Sequence, residues 1–385
     1  MTSPFIEGLR GIEIGRVTIH PSFREEATFD DNIFLNDSGE GEGRVADLIF
    51  NTRPGIGVGF GFKVVQIDAR YIAQYRRYIL NPEESTTGLE GDFQFDVQIA
   101  DLLDFESEVG GRRGSRLFFD FNNDLKADTQ PLDDLFETER VARLVERYSA
   151  KGGYEISKKT QVALVHNLDY QEALNHDFER IDSLTLDIGL EAKHAITQRI
   201  DLVSESRYGQ SRFFEDELND SEFLEFLGGA EGQFSRRLSF SFLAGYHRRT
   251  NLGGGSNEDD SDADDFVGRG SLTYEIGPAT QARVDLSRTV QLASGSNFKV
   301  TSIGRLRFTH QFTSKISGTL QGEVQRQEPS RGGDSTQYTA SAKMEYRLTD
   351  WMFLDLEYQF RLNDSEVPSA DFYNNRVTLG MNLTF

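Results

Sequence analysis

Six histidines, His20, His166, His176, His194, His247 and His310, are the first residues to test for chemistry. None sits in an HExxH motif or in a close pair with metal-ligand spacing. The chain has no cysteine, which removes thiolate metal sites, iron–sulfur clusters, disulfides and Cys nucleophiles. No GxSxG, P-loop or dinucleotide fingerprint occurs. The densest acidic run is Glu258, Asp259, Asp260, Asp262, Asp264 and Asp265. It lacks the glycine and the closing glutamate of an EF-hand, and reads as a solvated, flexible loop. The expectation is a protein with no enzymatic activity, no cofactor and no resident metal.

What remains is charge in alternation. Arg70, Arg116, Arg143, Arg147, Arg207, Arg249, Arg269, Arg283, Arg305, Arg307, Arg347, Arg361 and Arg376 fall on the polar parity of alternating segments. Asp285, Glu323, Glu345, Asp355 and Glu357 are interleaved on the same parity. A dry core filled with so many ions would be prohibitively costly, so this face must meet water. Two roles are open for each ion. One is a cross-strand Arg–carboxylate ladder that stiffens a wall. The other is a charged path that selects solutes by electrostatic focusing, with Arg305, Arg307, Arg347 and Arg376 favouring anions. Phe118 and Phe213 are the aromatic rings expected on this polar face.

The elements that carry these residues are strands. In NRVTLGMNLTF, Val377, Leu379, Met381, Leu383 and Phe385 share one face, and Arg376, Thr378, Gly380, Asn382 and Thr384 share the other. A period of two is the mark of a strand with one apolar and one polar side. The same pattern places strands at 16–29, 44–60, 64–79, 89–103, 115–130, 141–156, 161–174, 183–196, 201–213, 222–234, 239–251, 266–276, 281–292, 299–312, 316–327, 337–348, 353–362 and 373–385. Eight connections are turn-like: Gly61–Lys63, Asp104–Gly114, Ser157–Thr160, Thr197–Ile200, Ser235–Leu238, Gly277–Thr280, Thr313–Lys315 and Thr349–Met352. The others are longer and acidic, with only Arg140, Arg180 and Arg331 among them as bases. The formal net charge of −22 is therefore a property of one rim, and it disfavours nucleic acid as a partner.

Eighteen strands, short turns on one side and long loops on the other predict an antiparallel up-and-down β-barrel of the outer-membrane type. Its apolar face would meet lipid and its polar face a hydrated lumen. Tyr154, Phe234, Tyr274, Phe312, Tyr346 and Phe385 carry the outward parity near the short-turn ends, as an interfacial girdle would. The opening MTSPFIEGLRGIEIG has no signal-peptide pattern, so the numbering is expected to begin near the mature end. Residues 1–15 are read as a periplasmic extension and 16–385 as the barrel.

Two early segments carry a resemblance. ATFDDNIFLND, with Phe29, Asp31, Asn32 and Ile33, is followed by TRPGIGVGFGF, with Pro54 and Gly55 inside the second strand. They resemble the outer-membrane β-barrel porin family associated with exopolysaccharide export loci. That resemblance implies a channel that passes a secreted polysaccharide, working beside a periplasmic export component. It brings no catalytic residues. Leu379, Met381, Leu383 and Phe385 resemble the C-terminal signal read by the barrel insertion machinery. The remaining expected partners are outer-membrane lipid and lipopolysaccharide, with the C-terminus periplasmic and the acidic loops outside. The alternatives are a general or small-anion diffusion porin, and a non-conducting barrel that acts by docking through its loops. Pro54 cannot donate to a ladder and is expected to mark a bulge.

Overall fold

The computed structural model of the chain describes residues 11–35, 43–61, 65–98, 117–131, 140–174, 181–253, 255–256, 259–293, 295–367 and 370–384. The first strands are β1 (Ile12–Ile14), β2 (Val17–Asp30), β3 (Asp47–Gly61), β4 (Val65–Tyr78), β5 (Thr86–Gln98), β6 (Leu117–Pro131) and β7 (Arg140–Ser157). They are followed by β8 (Thr160–Ala173), β9 (Ser183–Ala195), β10 (Ile200–Phe213), β11 (Asp220–Ser235), β12 (Leu238–Gly253) and β13 (Ala263–Gly277). The last are β14 (Thr280–Gln291), β15 (Lys299–Gln311), β16 (Ile316–Pro329), β17 (Ser335–Thr349), β18 (Met352–Ser365) and β19 (Phe372–Thr384).

Each strand from β2 to β19 pairs antiparallel with the next. β19 then returns to β2, in register from Arg376↔Asp30 to Thr384↔Ser22. The result is a closed antiparallel barrel of 18 strands, in which every backbone ladder finds a partner and no sheet edge is left to lipid. β1 is an addition. It folds back on the start of β2 through Gly15, at φ 68°, and pairs Ile12↔Ile19 and Ile14↔Val17 beyond the last β19 pair.

The apolar residues are on the outside. Leu190, Phe226, Phe242, Leu286, Leu306, Leu320, Leu356 and Leu379 are all exposed, on the parity opposite to the ions. A water-soluble fold would bury these side chains, whereas a barrel in lipid buries them in the bilayer. Aromatic residues mark both margins of the belt. Phe266 and Tyr274 on β13, and Tyr338 and Tyr346 on β17, are exposed pairs eight residues apart. Eight residues span about 26 Å along a strand, or about 20 Å once tilted, which matches an apolar band of roughly that height. Tyr154, Phe234 and Phe312 are exposed at the short-turn ends as well, while Phe385 lies outside the described residues.

The backbones of β11 and β12 approach each other closely at two glycines. A Cβ on Gly229 would lie 1.8 Å from the Phe242 carbonyl oxygen, and one on Gly245 would lie 1.7 Å from that of Phe226. Only glycine allows that approach. Pro54 does not create the expected bulge. The β2–β3 ladder runs through Phe23↔Pro54 unbroken. The β3–β4 ladder pauses between Thr52↔Tyr75 and Gly55↔Ile72 and resumes in the same register. A proline lacks one donor, so the strand loses hydrogen bonds to one neighbour without gaining a residue. Of the expected turns, Asp104–Gly114 lies outside the described residues, as does Arg116.

Candidate functional site

The inner face of β6–β13 encloses a cavity of about 1110 Å³ inside the barrel. Asp120, Asp124, Arg143, Arg147, Lys151, Asp187, Glu191, Arg207, Glu225 and Arg269 line it, so cations and anions are mixed along its wall. Thr289, Val290, Gln291, Leu292 and Ala293 line it too, from the end of β14 and the loop beyond. The ladders explain how they reach it. β13 stays paired with β12 up to Arg249↔Ala263, and β14 stays paired with β15 up to Gln291↔Lys299. The pairing of β13 with β14 stops at Gly268↔Arg288, so the two strands separate near the long-loop end. Val290 and Phe298 then join Leu227, Leu243, Ala263, Val267 and Val300 in a small apolar cluster. Arg288 ties the parted strands by pairing with Asp265 at 2.9 Å and Glu328 at 2.9 Å.

Most of the ions expected on the polar face have partners in the wall. Arg147 pairs with Asp169 at 2.9 Å, Arg283 with Asp285 at 2.8 Å and Arg305 with Glu323 at 2.5 Å. Arg70 lies 4.0 Å from Glu90, and Arg207 and Arg269 share Glu205. Lys343 pairs with Glu345 at 3.1 Å and faces Glu357 across the ladder, while Asp355 accepts Arg24 at 3.3 Å. The residues of the expected cationic strip differ in their surroundings. Arg305 and Arg376 are compensated, the latter by Asp30 at 3.1 Å. Arg307 is held by the neutral Gln321 at 2.9 Å, and Arg347 lies over the Phe353 ring at 5.6 Å. Arg361 donates to Asn374 at 3.3 Å. Among the described residues no group of His, Asp and Glu has the arrangement of a metal site.

The acidic rim is more ordered than its composition implies. Asp259, expected in a solvated loop, is 4% exposed. Its carboxylate accepts from Asn297 N at 3.0 Å, Ser330 Oγ at 2.6 Å and Ser261 N at 3.1 Å. Its carbonyl accepts from Asn219 and Asn251. Four long loops are thereby joined at one residue. Burial works against ionisation of Asp259, but these donors outweigh it and hold the carboxyl below the ordinary aspartate range. A simpler version recurs at other hairpin ends. Asp47, Asp182, Asp220, Asp262 and Asp371 each accept a backbone N–H at or near the end of the neighbouring strand.

The family-like segment has a location as well. Asp30, Asn32 and Asn374 are buried together where β2 meets β19. Asn32 N donates to Asp30 at 2.9 Å, Asn32 Nδ2 to the Tyr373 carbonyl at 3.1 Å, and Asn374 Nδ2 to Asp30 at 2.5 Å. Asp31 takes both the N–H and the side-chain amide of Asn375 and pairs with Arg44. Burial opposes ionisation of Asp31, and the donors from Asn375 and Arg44 prevail, lowering it. Phe29 is exposed on the outer face, and Ser22 lies over Gly55 on the inner one. Sequence reading missed Phe223 and His247. Both line the cavity, stacked with ring centroids 5.3 Å apart, while Phe118 has no described side chain.

Residues 220–385 match the family model described as "Putative beta-barrel porin 2". The fold resembles that of solved outer-membrane barrels. OpdK from Pseudomonas aeruginosa has 10% identity and a TM-score of 0.51, over 95% of this chain and 99% of that one. OccK2 (OpdF) from the same organism also has 10% identity and a TM-score of 0.51, over 96% and 98%. The OccK2 structure in complex with glucuronate aligns with 10% identity over 98% and 100%, at a TM-score of 0.51. No curated protein matches the chain.

Proposed function

We propose that the protein is a passive outer-membrane channel for hydrophilic solutes. The observation that carries this reading is the closed wall with ionised side chains inside and apolar side chains outside, around a cavity of about 1110 Å³. Mixed, largely paired charge suits passage of solutes that exchange hydration for many weak contacts. The segment Thr289–Ala293 lines the cavity, whose volume suits small solutes better than a thick polymer. The OccK2 structure with bound glucuronate supports sugar acids as solutes to test. The test is a planar-bilayer recording of the purified chain. Stable open steps without a partner are expected. Negligible conductance would leave the docking barrel as the reading.

Export of an exopolysaccharide is the second reading. It is supported by the resemblance carried by Phe29, Asp31, Asn32, Pro54 and Gly55, and by ion pairs so compensated that a sliding chain would meet no deep well. Neutral dextrans of graded size separate the readings, because a polymer path stays accessible to chains that a small-solute pore excludes. On this reading the acidic loops face outward from the cell and the strand ending in Leu379, Met381 and Leu383 ends at the periplasmic side. Protease cleavage of loop-tagged protein on intact cells tests that orientation.

A further inference from the structure

Arg249 is a buried cation without a counter-charge. It is 5% exposed and lies on the cavity wall. Its Nη1 donates to Ser221 Oγ at 2.7 Å and Ser211 Oγ at 3.3 Å, and its guanidinium sits 5.1 Å from the centre of the Phe223 ring. All of these partners are neutral. Its Nε is buried and has no hydrogen-bond partner. A buried ion in this condition is costly unless something of opposite charge joins it. The neighbouring Arg207 and Arg269 are already satisfied by Glu205.

His247 supplies a second vacant position beside it. Its ring stacks on the same Phe223, with 16° between the planes. Its Nδ1 lies 3.1 Å from Glu225 Oε2, and its Nε2 is buried without a partner. A carboxylate only accepts, so Nδ1–H donates to it and Nε2 is the ring atom left over. The strand register builds this arrangement: Phe223 faces Arg249 across one layer, and Glu225 faces His247 across the next. On the other side Phe223 faces Gly209, where a Cβ would fall 2.4 Å from the ring. Glycine there lets the ring lie against the wall.

We propose that Arg249 and His247 form a binding site for a hydroxycarboxylate, such as a sugar acid unit. The carboxylate accepts from Arg249 Nε–H, and a hydroxyl, able to donate or accept, pairs with His247 Nε2. The site deepens the channel reading and rests on it only for the route by which solute arrives, since binding is measurable without conduction. The experiment is titration calorimetry on the full-length barrel in detergent with glucuronate, glucose and acetate. Glucuronate is expected to bind, with glucose and acetate at least about tenfold weaker. Arg249→Gln and His247→Phe are each expected to weaken glucuronate by about tenfold or more. Arg249→Lys keeps the charge without the Nε–H, and serves where the glutamine variant fails the heat-modifiable gel shift of a folded barrel. Equal heats for glucuronate and glucose, equal affinity for acetate, or unchanged binding in the folded variants would each overturn the site. Glucuronate binding in a barrel that conducts nothing would sink the channel reading and leave the site standing.

Discussion

At the scale of single residues, the informative carboxylate is Asp259, because its behaviour departs from its neighbourhood. Net charge and sequence context make it one acid among many, yet it is buried and ties its own loop to three others. Asp259→Ala leaves the Asn297 N–H and the Ser330 hydroxyl without their acceptor. The expected loss is about 1–3 kcal/mol, read as a lower midpoint in the heat-modifiable gel shift. The pH dependence has a definite sign. A carboxyl held below its unfolded value stabilises the fold above that value, about 3.9 for aspartate, and loses the contribution as pH falls through the folded value. The difference between wild type and Asp259→Asn is therefore expected to be full above about pH 5 and to shrink under acid conditions. A difference that stays constant from neutral to acid pH would show that the charge of Asp259 plays no part. Loops have no period of two, so nothing in the sequence distinguishes Asp259 from the solvated acids beside it. The hidden ring of Phe223 has a different cause: in SEFLEFL, Phe223 and Leu227 share one parity and Leu224 and Phe226 the other. Apolar residues on both faces erase the alternation that identified its neighbours.

At the scale of elements, alternation determined nearly everything. The strand ends agree with those expected to within about three residues over the described chain, the expected end at 103 lying outside it, because lipid on one side and water on the other enforce a period of two. β1 was missed since three residues cannot display a period, and its turn depends on the backbone at Gly15. The alternation makes a paired prediction on β19. Leu379 is exposed on the outer face, and its neighbour Thr378 faces inward, bonded to Thr28 at 2.9 Å. Leu379→Lys places a charge in the apolar band and is expected to cost about 2–4 kcal/mol. Thr378→Lys places the same charge in the lumen and loses only the hydroxyl pair, about 1 kcal/mol. The folded fraction in lipid vesicles should therefore fall much further for Leu379→Lys. The seam offers a second test. Asn374→Ala strips Asp30 of a buried donor and cuts the link to the Asn32 carbonyl where the last strand meets the first. Barrel closure joins the ends of the chain, so slower folding into vesicles is expected together with a loss of about 1–3 kcal/mol.

At the scale of the whole molecule, acidity and selectivity separate. The net charge of −22 is concentrated in the long connections, where Asp259 and the hairpin-closing aspartates use it for structure. The lumen is governed by compensation, and a channel of paired ions should discriminate weakly between small cations and anions despite the acidic rim. Glu205 is the place to disturb that balance, since it is 9% exposed and shared by Arg207 and Arg269. Glu205→Gln releases two cations into the cavity while changing little in shape. In a salt gradient across a bilayer, the reversal potential should move toward the anion side, with permeability for chloride over potassium rising roughly twofold or more. The same focusing falls as ionic strength rises, so the shift should shrink in molar salt. A conducting Glu205→Gln barrel with an unchanged reversal potential would mean that the ladder stiffens the wall and leaves ion selection to another part of the pore.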